Sequence, residues 1–72
     1  MNKTELGLLV AQLRNEKGIT QLQLSELTGI KRENINRLEA GKHSTGIEIL
    51  SKVVEVLGYE VKIIKKKTVK TK

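Results

Sequence analysis

The chain has 72 residues, with 14 Lys or Arg against eight Asp or Glu, no Cys, Pro, Phe or Trp, and a single Tyr. That composition describes one domain near the lower size limit for unaided folding, with an aliphatic core and neither a disulfide nor a thiolate metal site to help it. No run of about 18 apolar residues exists to span a bilayer, and residues 1–5 hold no apolar signal core, so a reducing cytoplasm is the expected location.

The formal charge of +6 is unevenly placed. Six Lys and no acid fall within residues 62–72, which leaves eight basic residues to balance all eight Glu in residues 1–61. The basic excess therefore belongs to the C-terminal tail. In the body, Lys31, Arg32, Arg37 and Lys42 form a local basic cluster.

Leu6, Leu9, Val10 and Leu13 recur at i, i+3, i+4 and i+7, which predicts a first helix over about 4–17 with Thr4 as N-cap and Gly18 as its stop. Thr20-x-x-Gln23 is a capping box that opens a second helix, in which Leu24 and Leu27 face inward. Gly29 stands where the chain leaves that helix through a left-handed conformation, and Ile30 plugs the corner. A third helix follows and ends at Gly41, with Ile35 and Leu38 on its inner face. Thr45-x-x-Glu48 reads as another capping box, opening a fourth helix that buries Ile47, Leu50, Val53 or Val54, and Leu57 before stopping at Gly58. The period then changes. Tyr59, Val61 and Ile63 alternate with Glu60, Lys62 and Ile64, which predicts a strand. A lone strand leaves its backbone groups unpaired, so its expected partner is the same strand of a second copy, in an antiparallel two-fold ribbon.

Residues 21–40, QLQLSELTGIKRENINRLEA, carry the most information. Two short helices, a glycine turn and small Ser25 at the crossing are the physical pattern of a helix-turn-helix, whose second helix enters the DNA major groove. Because Ile35 and Leu38 face inward, the outer face of that helix is Arg32, Glu33, Asn36 and Arg37, the candidate base readers. Arg32 and Arg37 suit guanine O6 and N7, Asn36 an adenine or a phosphate, and Glu33 a cytosine amino group. Glu33 and Arg37 also stand at i, i+4, where they can pair with each other. Lys31, Lys42 and Ser44 are candidate phosphate contacts that set register without reading sequence. His43 has no acidic or Cys neighbour at ligand spacing and is read as a polar loop residue or phosphate contact, so no metal and no cofactor are expected. No nucleophile–base pair is present, and an enzyme is not expected. Leu8 and Leu22 are candidates for a docking surface, or simply for partly buried leucines.

Residues 6–57 resemble the Cro and phage-repressor type of helix-turn-helix domain, the xenobiotic-response-element family. The matching pieces are Arg14, Gly18-Ile19-Thr20-Gln21, Leu24-Ser25, Gly29-Ile30, Ile35 and Leu38-Glu39-Ala40-Gly41-Lys42. Ser25 replaces the commoner alanine, Lys31 stands where a capping Ser or Thr is frequent, and no proline follows Lys42. The resemblance implies an all-α, four-helix, lambda-repressor-like domain over residues 1–58, a DNA-bound bacterial or phage protein at the nucleoid, and a phosphate contact from Gln21. It also implies that Arg14 and Glu39 form a structural ion pair. Residues 57–63 are similar to the end of antitoxins from the high-persistence toxin–antitoxin pairs, where such a strand pairs across a dimer. Two roles follow as expectations. One is a repressor binding a palindromic operator as a homodimer. The other is an antitoxin that neutralises a toxin by protein contact and regulates its own operon. Residues 59–65 would be the dimerising strand and residues 66–72 a basic, disordered tail.

Overall fold

The computed structural model describes residues 1–65, which form four helices: α1 (Lys3–Lys17), α2 (Gln21–Thr28), α3 (Arg32–Ala40) and α4 (Ile47–Val56). The first begins one residue earlier than its periodicity predicts, because Asn2 and not Thr4 is the N-cap. Asn2 has a glutamate three residues on. Glu5 N–H donates to Asn2 Oδ1 at 2.8 Å, and Asn2 N–H donates to Glu5 Oε1 at 3.0 Å. Thr4 has Gly7 at that offset and can form no such reciprocal pair.

The α2 capping box forms as its spacing requires, with Gln23 N–H on Thr20 Oγ1 and Thr20 N–H on Gln23 Oε1. The corner that follows is tied by two hydroxyls. Ser25 Oγ donates to the Ile30 carbonyl at 2.5 Å, while Thr28 Oγ1 donates to the Leu24 carbonyl and accepts from Ile30 N–H. Ser25 is therefore both small enough for the crossing and a staple across the turn. Lys31 starts α3 without a side-chain cap.

Eight side chains make the buried core: Val10, Leu24, Ile30, Ile35, Leu38, Val53, Val54 and Leu57. Leu6, Leu13, Ile19, Ile49, Leu50 and Val56 pack around them. Three expectations of burial fail. Leu9, in the core stripe that the α1 spacing predicts, is 36% exposed, because it faces the groove that Tyr59 and Val61 also line. Leu27 is 61% exposed, because α2 turns Gln21, Leu24, Ser25 and Thr28 inward and Leu27 falls beside that arc. Ile47 is 60% exposed at the first position of α4, and Ile49 takes the place against the core. Nor does Thr45 cap that helix. Gly46 is the N-cap, with extended backbone and no side chain to offer, so the Thr45-x-x-Glu48 box does not form. Val53 and Val54 are both buried, which resolves the alternative between them.

The positions of α1 and α3 rest on a residue that periodicity passes over. Gly7 lies in the middle of α1, buried, where α3 crosses it. A Cβ there would stand 2.5 Å from the Leu38 carbonyl oxygen and 2.7 Å from that of Glu39. Gly41 closes the other end of the same contact: φ is 70°, and a Cβ would lie 2.7 Å from Thr4 Cα.

After α4 the chain turns at Gly58 (φ 94°), where Tyr59 N–H donates to the Val54 carbonyl at 2.8 Å. Residues 59–65 then run exposed, and no strand is present among the described residues. The single chain offers this segment no second strand to pair with, so the predicted ladder is missing here. The disordered tail predicted for residues 66–72 lies outside the described residues. No helix among those described is long and apolar enough to cross a membrane.

Candidate nucleic-acid interface

Burial of Ile35 and Leu38 turns Arg32, Glu33, Asn36 and Arg37 outward, and all four are exposed on one face of α3. They are not equivalent. Arg37 lies 3.6 Å from Glu33 in an i, i+4 pair, with both side chains more than half exposed, so the attachment is weak and easily exchanged for another partner. Arg32 takes part in no ion pair or side-chain hydrogen bond among the described residues. Asn36 is tied instead, its Nδ2 donating to Gln21 Oε1 at 3.5 Å.

Gln21, Arg32, Glu33 and Asn36 together line a shallow groove where the start of α2 meets α3. Gln21 is half-buried there and reaches inward as well, donating from Nε2 to Glu39 Oε1 at 2.9 Å. The structure thus gives Gln21 two neighbours on α3, one on each side of its amide.

Behind this face stands a clamp. Arg14 Nε and Nη2 donate to the two carboxylate oxygens of Glu39 at 2.7 and 2.9 Å, and Nη1 donates to the Ile19 carbonyl at 2.9 Å. The two side chains are only 13% and 7% exposed. A bidentate, charge-assisted pair of this kind is both directional and strong. The hydrogen bond to Glu39 raises the Arg14 pKa further above its ordinary value, burial pulls the other way, and the attraction of the carboxylate adds to the rise. One arginine thereby links α1, the start of the turn before α2, and the end of α3.

A second groove lies between the end of α3 and the start of α4, lined by Asn34, Arg37, His43, Ser44, Thr45 and Ile49 with the Gly46 backbone. The sequence points to His43 and Ser44 as interface residues, but not to Asn34 or Thr45. The signal for Asn34 was its i, i+3 spacing to Arg37, and Thr45 was absorbed into a cap that does not form. Lys42 is exposed at the foot of α3, its carbonyl accepting from Lys3 Nζ at 3.4 Å. Lys31 is exposed at the head. The basic residues at both ends of α3 therefore flank the face that carries Arg32.

The remaining sequence-selected residues, Tyr59, Val61 and Ile63, lie away from α3. Tyr59 and Val61 join Leu6, Leu9, Leu13, Leu50 and Val54 along an apolar groove between α1 and α4, and Ile63 is fully exposed beyond it. Among the described residues no group of three or more His, Cys, Asp or Glu could hold a metal ion.

Residues 10–64 match the helix-turn-helix family model. The chain belongs to that family, in its Cro and phage-repressor branch. Among members of this helix-turn-helix family, the HTH-type transcriptional regulator RamB of Mycobacterium tuberculosis is 33% identical over 60 residues, 83% of this chain and 13% of RamB. An uncharacterized HTH-type transcriptional regulator of Methanothermobacter thermautotrophicus is 35% identical over 52 residues, 72% of this chain and 75% of its own length. Multiprotein-bridging factor 1b of Arabidopsis thaliana is 39% identical over 59 residues, 82% of this chain and 42% of the plant protein. The helix-turn-helix chain thus spans only a small part of RamB and under half of the plant protein.

Proposed function

We propose that this chain is a sequence-specific DNA-binding transcriptional regulator, a repressor that occupies a promoter as a homodimer on a palindromic operator. The observation that carries the reading is the exposed α3 face with the uncommitted Arg32 guanidinium, held against the body by the Arg14–Glu39 clamp. In this reading α3 lies in the major groove. Arg32, Glu33, Asn36 and Arg37 meet base edges, while Gln21, Lys31, Lys42 and Ser44 hold phosphates. RamB and the Methanothermobacter relative, both HTH-type transcriptional regulators, point the same way.

Residues 1–58 supply the DNA-binding body, residues 59–65 the dimer contact, and residues 66–72 a basic electrostatic attachment. The dimer reading is supported by a segment outside any helix that leaves Tyr59, Ile63 and Ile64 largely exposed. Charge selects its register. Antiparallel pairing centred on Val61 sets Tyr59 opposite Ile63 of the second copy and Glu60 opposite Lys62. Registers centred on residue 60 or 62 would oppose like charges, which destabilises a pair that opposite charges would stabilise by about 0.2–1 kcal/mol.

A second reading, an antitoxin that neutralises a toxin, rests on the exposed Leu8 and Leu22, which a partner protein would cover. Selection of bound sites from random duplex DNA, at a stated salt concentration, tests the first reading. A palindromic consensus is the expected result, and equal retention of all sequences would overturn it. A stoichiometric complex with the product of an adjacent toxin gene would favour the second.

A further inference from the structure

We infer that Gln21 is a polarity relay that sets the amide of Asn36 to read adenine, an inference that rests on the DNA-reading proposed above. The argument runs outward from the clamp. Glu39 is held by Arg14 on both carboxylate oxygens, and an ionised carboxylate only accepts hydrogen bonds. The end of Gln21 that touches Glu39 Oε1 must therefore be the donor, Nε2, and it does so at 2.9 Å. This forces the acceptor, Oε1, to the other side, where Asn36 stands. Asn36 must then turn its own donor, Nδ2, toward Gln21, and it does so at 3.5 Å.

One amide N–H of Asn36 is used in that contact, and one N–H and the Oδ1 acceptor remain. A donor beside an acceptor complements the major-groove edge of adenine, whose N7 accepts and whose N6 donates. Guanine presents two acceptors, one of which would face Oδ1, and thymine and cytosine each offer a single partner. A free asparagine can flip to suit its surroundings. Here flipping Asn36 would set its Oδ1 against Oε1 of Gln21, and flipping Gln21 as well would set that Oε1 against the Glu39 carboxylate, so either arrangement leaves two acceptors facing each other. The buried ion pair thus reaches the reading face through a chain of compelled orientations. Gln21 is a positioning residue in this scheme, and Asn36 is the reader.

The test is site selection from random duplex DNA with the full chain, the Gln21→Met variant and the Asn36→Ala variant, with thermal unfolding measured beside it. Met keeps the length of Gln21 without its amide and leaves the Arg14–Glu39 pair in place. Asn36→Ala is expected to relax one adenine position in each half-site by roughly 5- to 150-fold, the range for a good bidentate contact. Gln21→Met is expected to relax the same position and leave the others, whereas loss of a phosphate contact alone would lower affinity on all sequences alike. Replacing that adenine by 7-deazaadenine should weaken the wild type and leave Asn36→Ala unchanged.

If the wild-type chain selects no site, the DNA-reading fails and this inference with it. If it selects a site in which no adenine depends on Asn36, or if Gln21→Met keeps full preference there, the relay alone is overturned. Asn36 is exposed, so its substitution and the 7-deazaadenine comparison decide the matter even where Gln21→Met unfolds.

Discussion

Gly7 packs face to face with the Leu38 carbonyl, and this contact sets how closely α1 and α3 approach. A glycine inside a helix costs about 1 kcal/mol relative to alanine, so Gly7→Ala on an open surface would stabilise the protein. Here the new methyl meets backbone on α3, which cannot swing aside as a side chain can. Overpacking of this kind costs about 1–3 kcal/mol. Gly7→Ala is therefore expected to lower the unfolding midpoint in urea. A rise would mean that the helices separate freely.

Arg14→Ala leaves the Glu39 carboxylate almost buried with one remaining donor, Gln21. Removing one member of a buried pair costs about 3–5 kcal/mol, a large part of the stability of so small a domain. Thermal unfolding should show it directly. The pH dependence of the Arg14 contribution follows from its raised pKa. Because the folded value lies above the unfolded one, this stabilisation is fully present below the unfolded pKa and lost only as pH rises through the folded value. Both lie in strongly alkaline solution. The difference in stability between wild type and Arg14→Ala should therefore show no alkaline loss between pH 6 and 9, roughly the neutral working range.

Arg32 and Lys42 separate reading from holding. Arg32→Ala should reduce operator binding by about 1–3 kcal/mol with little change on random duplex. Lys42→Ala should weaken operator and random DNA by similar factors. Titrations of both variants on both duplexes check this. Full operator preference in Arg32→Ala would remove α3 as the reader.

Val61→Pro should convert the dimer to a monomer in light scattering at tens of micromolar, since proline cannot donate to a ladder. The register adds a sharper trial. Glu60→Lys places like charges opposite each other and should weaken the dimer, and the double variant Glu60→Lys with Lys62→Glu should restore it. An unchanged mass in Val61→Pro would show that residues 59–65 do not join the copies.

Deleting residues 66–72 removes four of the 14 basic side chains. Affinity for every duplex should fall together, and its dependence on salt should flatten, because lysines that neutralise phosphates act through counterion release. A changed consensus would mean that the tail reads a groove.

The helices of this protein follow from local chemistry legible in the sequence. A capping box at Thr20 and Gln23, apolar residues at helical spacing, and glycines at the three helix ends with φ between 70° and 77° need no distant partner to be recognised. The outward face of α3 is equally local, since burying Ile35 and Leu38 commits the opposite side to solvent. Where two caps compete, the sequence is less decisive. Asn2 prevailed over Thr4 through a glutamate at the right offset, and Gly46 prevailed over Thr45 through backbone conformation alone.

Tertiary structure decided what depends on approach between segments far apart in the chain. Gly7 looks like a flaw in a helical pattern until α3 is laid across it. Leu27 and Ile47 satisfy the apolar period but miss the core, because the arc that is buried depends on where the neighbouring helices lie. The bond from Gln21 to Glu39 spans 18 positions and has no periodic signature. Hydrogen-bond direction propagates through space, from a carboxylate that can only accept to an amide that must donate, and only the assembled helices bring those groups within reach.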